Sequence, residues 1–264
     1  MSSLSSEEMS AQRSDFGLRL SNSMAQYGPL CVGIDPHRQL LTDWGYNVDA
    51  LGAELYSMRM LQAANGRAAA VKFQFSMFER YGSKGIALLP YYGARSLGGV
   101  INDALNNGRG VFIASLTSNQ EGASLQTAIR QAGEYKGRTV AYGIASTAQK
   151  FNKGNDGMGS VGLIIGATIG QWINDSGVDP AKFTGPILSP GYGWQGAETR
   201  DLKTVFKGTK GNVLVTVSRF IATHGPDISS LAAATESVAL DIRQALIEAQ
   251  NEVDDEILDD EEDE

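Results

Sequence analysis

The chain has 264 residues, 42% of them hydrophobic, enough for one large core, and a single α/β barrel of roughly 250 residues is a common solution at this size. No apolar run of about 18 residues is present to span a bilayer, and the opening Met-Ser-Ser-Leu-Ser-Ser-Glu-Glu segment lacks the basic start and apolar stretch of a signal peptide, so a soluble, cytoplasmic protein is expected. The formal charge of −8 is concentrated at one end: residues 248–264 hold eleven Asp or Glu and no Lys or Arg, leaving 22 basic against 19 acidic residues elsewhere. Such a tail argues against nucleic acid as the main partner.

Short β-branched runs alternate with helical patterns, as in repeated βα units around a parallel sheet. Strands are predicted at Leu30–Asp35, Ala68–Phe73, Gly110–Ser115, Ser160–Gly166, Pro186–Ser189 and Val213–Val217, with one further candidate at Ile86–Tyr91. Helices are predicted at Ala50–Ala64, Ser96–Asn106, Ser124–Ala132, Thr199–Phe206 and Ser230–Asn251. The fold class is therefore α/β, a (β/α)8 TIM-type barrel lacking about one βα unit, because seven strands do not close an eight-stranded barrel. The barrel is assigned to residues 1–228. A C-terminal helix over 229–251 lays the stripe Leu231, Val238, Ile242 and Leu246 on the body, and an acidic tail over 252–264 is expected to be disordered. Cys31, the single cysteine, sits in the apolar run Leu30–Ile34 and is expected to be a small buried hydrophobe.

Polar residues cluster at the C-terminal ends of the predicted strands, where a parallel barrel gathers its chemistry. After Pro186–Ser189 the loop Ser189-Pro190-Gly191-Tyr192-Gly193-Trp194-Gln195-Gly196 carries three glycines, Gly191, Gly193 and Gly196, whose N–H groups can turn toward an anion. Gln195 adds an amide donor. Arg219, just past the next strand, offers a guanidinium that grips phosphate with paired N–H bonds. The competing reading of the loop is a tight strand-to-helix turn. Asp35 ends the first strand and is placed to accept sugar hydroxyls. Lys72 ends the second, between apolar neighbours, where it should pair with a carboxylate such as Asp35 or shed its proton on burial. A purely structural ion pair is the alternative for both. Ser118 begins the loop after the central strand and either meets a ligand or caps a helix, with Glu121 three residues on. His37 and His224 are the only histidines; neither has two further ligands at metal spacing, so no metal is expected.

Taken in order, Pro29–His37, Val71-Lys72-Phe73-Gln74, Phe78–Gly82, Gly108–Phe112, Leu116-Thr117-Ser118-Asn119, Gly162–Thr168, Ser189-Pro190-Gly191 and Val217-Ser218-Arg219 resemble the orotidine 5′-phosphate decarboxylases, in particular the branch common in actinobacteria. The resemblance spans about residues 14–230. It implies a dimer of (β/α) barrels that converts orotidine 5′-monophosphate to uridine 5′-monophosphate without a cofactor. By the same resemblance Asp35 holds the ribose, Lys72 joins the charge network beside it, Ser118 meets the pyrimidine, and Gln195 and Arg219 hold the phosphate.

Loss of carbon dioxide leaves a carbanion-like centre that a cation must stabilise and protonate. The family supplies it from a lysine in an Asp-x-Lys-x-x-Asp stretch on the third strand, and no such stretch is found. Asp201-Leu202-Lys203 has the first half of the spacing, but Phe206 takes the second acidic position. The chain passes from Phe78–Gly85 to Pro90–Gly93 where the family has the catalytic strand with its flanking helices. Lys72 is then the remaining candidate cation. Phe73 stands where the family often has proline, and Trp194 is bulkier than the usual small residue beside Gln195. Two alternatives follow: a nucleotide-binding pseudoenzyme, and an aldolase-like barrel in which Lys72 forms a Schiff base with a sugar phosphate.

Overall fold

A computed structural model describes residues 16–74, 77, 90–91, 93–170 and 172–262, with side chains to 251. Six strands form one sheet: β1 (Leu30–Ile34), β2 (Ala70–Phe73), β3 (Val111–Leu116), β4 (Val161–Ile165), β5 (Ile187–Pro190) and β6 (Val213–Val217). Their order is β2-β1-β6-β5-β4-β3, with every neighbouring pair parallel. The first and last strands are thus partners, as at the closing seam of a barrel, and the sheet's two edges are the consecutive strands β2 and β3. The result is a curled half-barrel with two strands fewer than eight among the described residues. Of the predicted Ile86–Tyr91 strand, only Pro90 and Tyr91 fall within the described residues, and neither is in a strand.

The helices are α1 (Phe16–Tyr27), α2 (Arg38–Asp43), α3 (Ala50–Ala64), α4 (Gly98–Asn106), α5 (Ala123–Gln126), α6 (Val140–Phe151), α7 (Trp172–Ser176), α8 (Thr199–Val205), α9 (Arg219–Ala222) and α10 (Ile228–Glu262). Side-chain caps fix several starts. Asp49 accepts from the Gly52 N–H at 2.8 Å to begin α3, Thr139 accepts from the Tyr142 N–H at 3.0 Å to begin α6, and Asp201 accepts from the Glu198 N–H at 2.7 Å to begin α8. The helix predicted at Ser124–Ala132 stops at Gln126, because Ile129 instead pairs with Thr139 in an antiparallel bridge that leads into α6. The acidic segment expected to be disordered continues α10, whose helical backbone runs to Glu262.

Strand alternation divides the core in two. Leu30, Val32 and Ile34 of β1, with Val213, Val215 and Val217 of β6, face outward and pack under α3, α8 and α10 with Tyr56, Met60, Phe206 and Ile242. Each such fully buried side chain contributes about 1.5–3 kcal/mol. Cys31, Ala70, Phe112, Leu188 and Leu214 face the concave side and meet Phe16, Leu20 and Met24 of α1. That helix lies across the N-terminal ends of the strands: the Gly17 N–H donates to Ser160 Oγ at 3.1 Å, Arg19 donates to the Gly108 carbonyl at 2.9 Å and Ser23 to the Ala69 carbonyl at 2.7 Å. With that end plugged, the concave face is open to a ligand at the C-terminal ends.

Candidate functional site

At those C-terminal ends lies a cavity of about 340 Å³. Asp35 and His37 enter it from the end of β1, and Lys72 and Gln74 from β2. Pro190, Gly191, Trp194 and Gln195 come from β5 and its loop, and Thr216, Ser218 and Arg219 from β6. Glycine at position 33 lets β1 and β6 approach, since a Cβ there would stand 2.6 Å from the Ser218 Cβ.

The expected pairing of Lys72 with Asp35 does not form. Lys72 Nζ donates to Gln74 Oε1 at 2.7 Å. Register explains the choice: Lys72 lies opposite Gly33, a full side-chain period before Asp35, whereas Gln74 shares its face of β2. Asp35 Oδ1 is buried without a protein hydrogen-bond partner, whereas the Thr216 hydroxyl sits beside the Cys31 thiol and the Ser218 hydroxyl beside the Tyr56 phenol. Leaving such a carboxylate oxygen unmet costs about 1–3 kcal/mol, so Asp35 has an oxygen available to a polar partner. Behind it, burial pushes the Cys31 thiol up to about 12, with the nearby Thr216 hydroxyl and Lys72 opposing. Cys31 is the inert, buried thiol expected. Burial first, and the Asp35 carboxylate second, push the Tyr56 phenol up.

The glycine loop divides its duties. Gly191, Gly193 and Gly196 have φ of 117°, 74° and 97°, values that favour glycine. The Gly193 N–H donates to the Ala197 carbonyl and the Gly196 N–H to the Gly193 carbonyl, each at 2.8 Å. Those two glycines therefore serve the turn, and their N–H groups are not turned to an anion as expected. Gly191 alone of the three borders the cavity, where its missing Cβ leaves room for Gln195 Oε1 and Thr168. Arg219 is half-buried, and its guanidinium carbon sits 5.3 Å from the centre of the Trp194 ring.

Asp35, Lys72, Gln195, Arg219 and Gly191 are thus brought together. Ser118, two residues past edge strand β3, does not line the cavity; Gly166, just past β4, packs against it, and a Cβ there would meet the Ser118 N at 2.7 Å. Nor does Ser118 cap a helix, because the short turn Gln120–Gly122 starts from Asn119 without a side-chain cap. Asp201 and Lys203 are occupied structurally, Asp201 at the start of α8 and Lys203 in an ion pair with Glu248. His37, Gln74, Thr216 and Trp194 are lining residues that sequence reasoning did not select. Gln74 and Thr216 were open to strand alternation, each lying two residues from a chosen or polar position. A roomier depression of about 560 Å³ is lined by Arg95, Glu134 and Lys150; Glu134 already pairs with both cations there, so it offers an anion little.

A parallel β/α half-barrel that gathers Asp35, Lys72, Gln195 and Arg219 at the C-terminal ends of its strands has the arrangement of a β/α-barrel protein with its site at that face. Comparison with known proteins sharpens that class. The chain is 38% identical to the orotidine 5′-phosphate decarboxylase of Salinispora arenicola, covering 88% of this chain and 98% of the relative. It is 35% identical, with the same coverage, to that of Streptomyces coelicolor. A crystal structure of a Streptomyces avermitilis protein, described as an orotidine 5′-phosphate decarboxylase, superposes with a TM-score of 0.79 at 34% identity, covering 88% of this chain and 96% of that one. No family model matches the chain. The chain belongs to the orotidine 5′-phosphate decarboxylase family. Among the described residues, no helix is long and apolar enough to cross a membrane.

Proposed function

We propose that the 340 Å³ cavity takes orotidine 5′-monophosphate and uridine 5′-monophosphate, with the phosphate on Arg219 and Gln195 and the ribose hydroxyls on Asp35. The observation that carries this reading is that Asp35, whose Oδ1 has no protein partner, and Arg219 line the same cavity. A carboxylate suits neutral hydroxyls and repels phosphate, so the two groups select opposite ends of one nucleotide. No cofactor is invoked. The reading extends to a cytoplasmic homodimer, whose assembly light scattering measures.

Decarboxylation is the reaction of the relatives named above. In this chain the cation that meets the developing carbanion is Lys72, the one lysine lining the cavity among the described residues, with Gln74 holding its ammonium. The Asp-x-Lys-x-x-Asp stretch of the family does not occur in the sequence. The account expects nucleotide binding to persist while turnover, carried by Lys72 alone, is weak. A chromatographic assay of orotidine 5′-monophosphate conversion tests this, with Arg219→Ala prepared identically to expose contaminating host enzyme. Weak turnover that disappears in Lys72→Ala supports the reading, and turnover unchanged in Lys72→Ala contradicts it.

A further inference from the structure

Arg219 has no carboxylate partner within ion-pair distance among the described residues; what it packs on is Trp194, ring centre to guanidinium carbon 5.3 Å. Adjacent residues make the neighbouring contact: the α-carbon face of Gly193 lies against Phe220, 3.2 Å from a would-be Cβ to the Phe220 Cβ. Residues 193 and 194 of the β5 loop therefore clasp residues 220 and 219 of α9. The loop tip is itself braced by the Tyr192–Ala197 bridge and the Gly193 N–H to Ala197 carbonyl bond. Trp194 is 57% exposed, so core packing does not account for an indole at this place.

We propose that Trp194 is a positioning residue that presents Arg219 to an anion. An arginine held by a carboxylate surrenders some of its five N–H donors to that partner, and the negative charge competes with the ligand. An aromatic face orders the guanidinium through its quadrupole and leaves the in-plane donors available. The result is an anion receptor ordered before the ligand arrives. The inference rests on the reading of Arg219 as the phosphate-binding cation.

The test is a double-mutant cycle by calorimetry, using uridine 5′-monophosphate and, separately, inorganic phosphate as probes. Trp194→Ala is expected to weaken both about three- to tenfold, the scale of a partly exposed cation–π contact, with the melting temperature unchanged. Trp194→Phe should restore most of the affinity. In an Arg219→Ala background the Trp194→Ala change should have no further effect. An effect of equal size in that background, or no loss in Trp194→Ala, overturns the proposal. Phosphate binding without preference for the nucleotide refutes the nucleotide reading alone and leaves the cycle decisive; binding of neither probe by the parent protein removes both.

Discussion

Lys72 and Asp35 face one cavity from adjacent strands, yet the lysine ammonium donates to Gln74 at 2.7 Å and Asp35 Oδ1 stays buried and unpaired. A carboxylate in that state is strained in the empty protein and useful in the occupied one. Asp35→Asn should therefore leave ligand-free stability unchanged or raise it by about 1 kcal/mol, while weakening uridine 5′-monophosphate about tenfold or more. Thermal melting and calorimetry on the same preparation measure the two effects. A large fall in melting temperature would show that Asp35 is a structural residue instead.

Alkaline pH should loosen the fold through its buried acids. The Cys31 thiol, 2% exposed, is pushed from 9.0 up to about 12, so the unfolded chain releases this proton at lower pH than the folded one. The stability from Cys31 is complete below pH 9 and declines by about 1.4 kcal/mol per pH unit as pH rises toward 12. Tyr56, also raised by burial, adds the same sign of dependence above 10.0. Urea titrations from pH 8 to 11 should show a shallower decline for Cys31→Ala than for the parent chain.

The C-terminal helix should divide into a needed part and a dispensable one. Ala245 and Ala249 are buried, the Gly208 N–H donates to the Ala249 carbonyl at 2.9 Å, and Glu248 pairs with Lys203. Removing residues 252–264 spares all of these and should leave the melting temperature nearly unchanged. Removing 245–264 deletes them and should destabilise the protein by about 1–3 kcal/mol.

Much of this architecture was legible in the residues. Val213–Val217 and Ala50–Ala64 match the observed elements in full, because a run with four β-branched residues in five and an Asp49-capped helical pattern leave little choice. Gln195, Arg219, Asp35 and Lys72 were selected because parallel strands deliver their last side chains to a shared mouth, and all four line one cavity. What the residues did not give depends on tertiary register. The Lys72–Gln74 bond follows from which β1 residue lies opposite Lys72, and the loss of the Gly193 and Gly196 N–H groups follows from the loop closing on itself. Helix α6 carried a usable signal that was passed over, Thr139 at its cap with Ala141, Ile144 and Ala148 on one buried face. The plug formed by α1 was not legible, since nothing local in Phe16–Tyr27 says which end of a sheet it covers.

The central claim is that this cavity binds a nucleotide through Arg219, and calorimetry with uridine 5′-monophosphate on the parent chain and Arg219→Ala tests it most directly. The account predicts measurable binding that the substitution weakens by about 1.5–3 kcal/mol, the scale of hydrogen bonds to a charged group. Equal affinity in the two proteins would remove Arg219 from the site and contradict the account.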